Sequence, residues 1–141
     1  MFLLLDIRNN YVTIAVIDAA RDRRTTVTGE RVGFRAFARA QTSLLRGKKP
    51  SCVAIVMNAS ADAVRDVSWS AVRAGVATAN ALAFAWSVPS VAVRAHGDES
   101  RSALTELARA VVKKAKKGHW VTAAYFGEPN ITTAKVKRIV G

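Results

Sequence analysis

Asp6 is the first residue whose type and position suit chemistry. It lies within the apolar run FLLLDI (2–7), and a carboxylate at the end of a strand can hold a catalytic divalent ion when other carboxylates converge on it. The other acids such a centre would draw on are Asp18, Asp62, Asp66, Asp98 and Glu99. Asp18 closes a second strand-like run, and the rest fall in expected loops. A phosphate loop is the other use for an acid here. It needs small, hydroxyl-bearing residues so that backbone N–H groups can approach the phosphate. Asp6 is followed by IRNNY, without Gly, Ser or Thr, and the chain has no Gly-x-Gly-x-x-Gly and no Gly-Lys-Ser/Thr. Asp6 therefore reads as a structural turn residue. The alternative is a metal-dependent nuclease or resolvase built on it.

The remaining reactive side chains are sparse. Cys52 is the single cysteine and opens CVAIVM, so it reads as a small buried hydrophobe rather than a metal ligand or half of an intrachain disulfide. His96 and His119 stand too far apart for a local metal motif, and neither sits beside a serine in a recognisable nucleophile arrangement. No catalytic residue, metal or cofactor is expected.

Charge is more informative. Lys and Arg number 22 against 10 acids, a net charge of +12, which suits nucleic acid, an anionic surface or an acidic partner. KKAKKG (113–118) places Lys113, Lys114, Lys116 and Lys117 at an expected helix end. A solvated last turn that complements the helix dipole explains it. The functional reading is a phosphate-contacting patch, joined by Lys135, Lys137 and Arg138 if the last strand lies nearby.

Half of the 141 residues are hydrophobic, enough for one domain with a real core. The N-terminal apolar run is too short for a signal-peptide core, and no stretch gives the ~20 uninterrupted apolar residues of a membrane span. A soluble cytoplasmic protein is the simplest account. FLLLDI (2–7) and YVTIAVID (11–18) read as a hairpin across RNN, AARDRRTT (19–26) as a charged turn, and VTGERVGF (27–34) as a third strand. Helical spacing then runs over 34–47, with Gly47 as its cap. CVAIVMN (52–58) reads as a strand covered on both faces. A helix from Trp69 to Trp86 stops before Pro89, and SVAVRA (90–95) forms a strand. Asp98 or Ser100 can cap an amphipathic helix over 102–118. HWVTAAYFG (119–127) and ITTAKVKRIV (131–140) read as closing strands. The expected fold is α/β: one ribonuclease H-like, or actin-like, lobe over 1–118. It has a mixed five-stranded sheet with helices on both faces, in the order β-β-β-α-β-α-β-α. Residues 119–141 form a C-terminal strand extension packed on or beside it.

The helix over 69–86 is apolar nearly all round, and such a helix should be covered twice. Ala71, Gly75 and Ala79 recur every four residues and would let another helix come close. Val72, Val76 and Ala83 fall beside them, with Trp69 and Trp86 at the two ends as anchors and Arg73 as the charged exception. The second cover is either another subunit or the final strands.

SWSAVRAGVATANALAFAWSVPSVAV resembles the signature of the TsaB (YeaZ) family, roughly Ser-Phe-Thr-Gly-Leu-Arg-x-Gly followed by small residues, a turn, Pro and a strand. Ser68, Trp69, Ser70, Ala71, Val72 and Arg73 fall on its opening. Gly75, Ala79, Ala81, Leu82, Ala83 and Pro89 continue it without a gap. The first hairpin and the strand before the signature also fit, so the resemblance covers about residues 1–117. The family's Gly-Pro-Gly is replaced by AVRD, Ala71 stands where the family has Gly, and a second lobe is missing or reduced to 119–141. This is the pattern of a minimal, diverged member. The resemblance implies a non-catalytic scaffold that activates a TsaD-like catalytic subunit, beside a TsaE-like ATPase, in making threonylcarbamoyl-adenosine in tRNA. It also implies a homodimer when alone, in which this helix and the preceding one join the partner's pair as a four-helix bundle.

Overall fold

The computed structural model describes residues 1–8, 11–18, 21–28, 38–59 and 69–122. The chain builds strands β1 (Phe2–Asp6), β2 (Tyr11–Ile17) and β3 (Asp22–Thr28). A short helix α1 (Ala40–Leu45) follows, then β4 (Val53–Asn58), α2 (Trp69–Trp86), β5 (Ser90–Ala95) and α3 (Arg101–Lys113). The strands form one sheet in the order β3-β2-β1-β4-β5. β2 is antiparallel to β1 and β3, whereas β4 is parallel to β1 and β5. This is the mixed five-stranded sheet of a single actin-like, ribonuclease H-like lobe.

Alternation along the strands divides the core into two layers. Leu3, Leu5, Ile14, Val16, Val53 and Ile55 point to one face, where α1 and α2 cover them. Phe2, Leu4, Ile17, Ala54, Val56 and Val93 point to the other, where Leu104 and Ala108 of α3 cover them. β1 is buried along its whole length, as a central strand covered on both sides must be.

The helix ends follow local chemistry. The N–H of Val88 bonds the carbonyl of Ala83 at 2.9 Å and that of Ser87 bonds Phe84 at 3.1 Å. Ser87 sits in the left-handed region at φ 55°. This 6→1 and 5→2 pair is a Schellman cap, and it stops α2 before Pro89. Ser100 caps α3, its hydroxyl accepting the N–H of Ala103 at 3.1 Å. In α1 the Thr42 and Ser43 hydroxyls bond the carbonyls of Ala38 and Arg39. These are the acceptors an α-turn would use, and the turn widens to a π-helix.

Three expectations change. β3 starts at Asp22 rather than 27, because the tight turn closed by the Asp18 carboxylate and the Arg21 N–H sets its register to β2. An edge strand tolerates the polar DRRTT that had read as a turn. α3 ends at Lys113, so Lys116 and Lys117 follow the helix instead of crowning it. His119–Thr122 form no strand of their own: the His119 carbonyl accepts the Ser90 N–H of β5 at 3.0 Å, and Val121 bonds the side chains of Asn80 and Ser90. Residues 29–34 of the expected third strand, 34–37 of the expected first helix and 123–141 of the extension lie outside the described residues.

Candidate functional site

Parallel strands β1, β4 and β5 end at one edge, the usual place for a ligand in an open α/β sheet. Asp6 is there, but its carboxylate is taken. Arg8 donates from Nε to Oδ1 at 3.0 Å, from Nη2 to Oδ2 at 3.1 Å and from its backbone N–H to Oδ1 at 3.1 Å. The Arg8 and Asp6 side chains are 6% and 11% exposed, so this is a buried, two-pronged ion pair. Glu99 lies at the outer side, with Oε2 4.0 Å from Arg8 Nη1. It accepts the N–H groups of His96 and Gly97 at 2.5 and 2.9 Å. Partial burial pulls the Glu99 carboxyl upward. The N–H groups of His96, Gly97 and Glu99 itself, with Arg8, outweigh that and hold it below its ordinary value.

A metal at Asp6 would have to displace Arg8 from both carboxylate oxygens. Asp98 is exposed, and Asp18 stands at the opposite edge of the sheet. Among the described residues no three His, Cys, Asp or Glu side chains cluster as a metal site would require. Asp62 and Asp66 lie outside the described residues. Cys52 is buried at the foot of β4, and burial pushes its thiol up to about 11 against a smaller downward pull from the Val53 backbone. It is an inert core residue.

The small-residue stripe of α2 faces its own sheet. Ala71, Val76, Ala79 and Ala83 are buried, and Val72 and Trp86 pack partly against the same core. A Cβ on Gly75 would meet Ile7 Cδ1 at 2.5 Å and Ile55 Cδ1 at 3.0 Å. Glycine lets the helix lie this close to the sheet with the Ile7 and Ile55 side chains left in place; a Cβ would make the Ile7 terminal methyl move aside. Trp69 opens the helix. The surface turned outward is made of other residues: Ser70, Arg73, Ala74, Ala77, Ala81, Phe84 and Ala85. From Ala74 to Trp86 the helix has no charged residue. Phe84 stands out at 75% exposure.

The segment after α3 folds back beside this surface. Asn80, polar in an apolar helix, is the anchor. Its Nδ2 donates to the Val121 carbonyl at 2.9 Å, and its Oδ1 accepts the Val121 N–H at 3.1 Å and the Ser90 hydroxyl at 2.5 Å. Val121 is buried, and Trp120 is brought against Phe84 with ring centroids 6.3 Å apart. Trp120 is itself 48% exposed, so the pair forms a protruding aromatic ridge at the end of an alanine-lined helix face. Phe84, Trp120 and Asn80 were not among the residues expected to matter.

Lys113, Lys114, Lys116 and Lys117 are all exposed, at the edge where β4 and β5 begin. Lys135, Lys137 and Arg138 lie outside the described residues. Among the described residues no helix is long and apolar enough to cross a membrane.

No family model matches the chain, and no curated protein matches it. Among solved structures it is similar to YeaZ from Pseudomonas aeruginosa, with 18% identity and a TM-score of 0.49 over 66% of this chain and 43% of that one. A second structure, described as an uncharacterized protein with similarity to peptidase YEAZ from Pseudomonas aeruginosa, gives 18% identity and a TM-score of 0.49 over 66% and 42%. The chain thus spans less than half the length of the structures it matches.

Proposed function

We propose that this chain is a non-catalytic, TsaB-like subunit that supports threonylcarbamoyl-adenosine formation in tRNA by docking on a TsaD-like catalytic subunit and activating it. The observation that carries the proposal is the outer face of α2. It is an uncharged surface of Ala77, Ala81 and Ala85 with Phe84 and Trp120 projecting beside it. Large exposed aromatics beside small residues suit a helix-on-helix contact, where an aromatic anchor fills a partner's pocket. The sequence resemblance over 68–93 supports the same reading, and the Asp6 carboxylate is occupied by Arg8. In the absence of the catalytic subunit, the same face serves a homodimer. A TsaE-like ATPase completes the assembly, tRNA passes near the basic edge, and the work is done in the cytoplasm.

The functional test is reconstitution. A TsaD-like subunit from the same cell is supplied with threonylcarbamoyl-adenylate and tRNA, with and without this chain. Modification should rise at least ten-fold on adding the chain and stay up with Asp6→Asn protein at a temperature where that variant is folded. No stimulation by the folded wild-type chain would refute the proposal.

A further inference from the structure

Cations far apart in sequence meet at the edge of the sheet where β1, β4 and β5 begin. Arg21 lies in the turn from β2 to β3 and Arg23 at the start of β3, while Arg46, Lys48 and Lys49 lie in the loop before β4. Two clefts run between them. One, of about 170 Å³, is lined by Asp18, Arg21, Arg23, Leu45, Arg46 and Lys48. The other, of about 310 Å³, is lined by Gln41, Leu45, Gly47, Lys48, Lys49 and Trp86. Leu45 and Lys48 line both, so the clefts adjoin.

Among the described residues, no ion pair joins these five cations to a carboxylate. Asp18, the acid in the cleft, has its Oδ1 on the Arg21 N–H. Arg23 Nε is buried with no hydrogen-bond partner among the described residues. A dry donor and several like charges around a narrow space are both unfavourable, and an anion entering the cleft relieves both. Arg is suited to phosphate because its planar fork can donate two parallel hydrogen bonds. The half-buried Trp86 at the far end adds an aromatic surface. An acidic polypeptide would use the charges but has no need of the indole. An unpaired nucleotide uses both.

We propose that this cleft binds a single strand of nucleic acid, with phosphates on Arg21, Arg23, Arg46, Lys48 and Lys49 and a base against Trp86. Lys113, Lys114, Lys116 and Lys117 lie on the same edge and extend the track. Five strands at a spacing of ~4.8 Å make that edge roughly 20 Å long, about six nucleotides of stacked strand at 3.4 Å each. The site is separate from the outer face of α2, so it does not depend on which protein docks there.

The test is fluorescence anisotropy with the full chain and labelled, unstructured RNA and DNA strands of about 12 nucleotides, titrated over a range of salt. Five phosphate contacts predict a log–log salt slope near −3.5, and Arg46→Ala/Lys48→Ala should make it shallower by about 1.4. Binding should quench tryptophan emission, and Trp86→Leu should weaken binding about ten-fold with the slope kept. Equal affinity for both strands, or a preference for RNA through its 2′-hydroxyl, supports the site. An unchanged slope in the exposed Arg46/Lys48 double variant overturns it, whether or not Trp86→Leu folds. So does displacement by polyglutamate at equal charge concentration, with emission unquenched by the strand. That result would assign the cleft to an acidic protein.

Discussion

Arg8→Ala should cost the protein about 3–5 kcal/mol of stability, because it leaves the Asp6 carboxylate buried without its counter-charge. The same pair on the surface would contribute about 0–1 kcal/mol. Here the side chains are only 6% and 11% exposed, and among the described residues Arg8 supplies the hydrogen bonds to the carboxylate. Urea unfolding of the purified variant measures the loss. Replacing both partners, Asp6→Leu/Arg8→Met, should recover most of it, since the desolvation of two charges disappears along with their attraction. A loss below about 1 kcal/mol for Arg8→Ala would mean that Asp6 is solvated or otherwise neutralised. The edge would then be open to the metal chemistry that the ion pair closes.

Gly75→Leu should cost about 3 kcal/mol by overpacking the contact between α2 and the sheet. The nearest atoms a Cβ would meet are the ends of Ile7 and Ile55, at 2.5 and 3.0 Å. Ile7 can swing its terminal methyl aside, so Gly75→Ala should come out near neutral. Its gain in helix propensity of about 1 kcal/mol offsets the crowding. Leu places three further carbons where Ile7 has no room to retreat. Thermal unfolding of the two variants separates the cases. If Gly75 faced a second protein instead, Leu would leave the unfolding midpoint of the lone chain unchanged and would block only association.

Much of the fold is written in short-range patterns. FLLL, VAIVM and VAV are continuous apolar runs, and each lies in a strand of the doubly covered sheet. α2 begins and ends where Trp69 and the approach to Pro89 suggested. β3 was hidden because DRRTTVT looks like a turn by composition. Its pairing with β2 and its contacts with α3, Arg24 Nη2 to Thr105 at 3.1 Å and Asp22 to Arg101 at 3.6 Å among them, give it a place.

The site was legible in part. The idea that α2 must be covered twice came from its apolarity, but periodicity alone does not say which stripe faces the sheet. Gly75 decides it: a helix lying on the bulky ends of Ile7 and Ile55 must turn its smallest residues inward. Phe84 is then carried outward with Ala77 and Ala81. Its exposure follows from that rotation and could not be read before it. Arg8 was visible two residues after Asp6, yet a turn that folds a guanidinium back on a carboxylate has no sequence signature. Cations at 21, 23, 46, 48 and 49 converge because the antiparallel β2–β3 turn and the start of parallel β4 share an edge, a fact of topology rather than of spacing.

Docking through the outer face of α2 is tested most directly by isothermal titration of the chain into a TsaD-like catalytic subunit from the same cell, with wild-type protein and Phe84→Asp. Phe84 is 75% exposed, so the substitution should leave the unfolding midpoint in place. Loss of a central aromatic anchor should weaken binding by about 30-fold or more, the equivalent of 2 kcal/mol. Binding of equal strength by the folded Phe84→Asp chain, or no binding by the wild type, would contradict it.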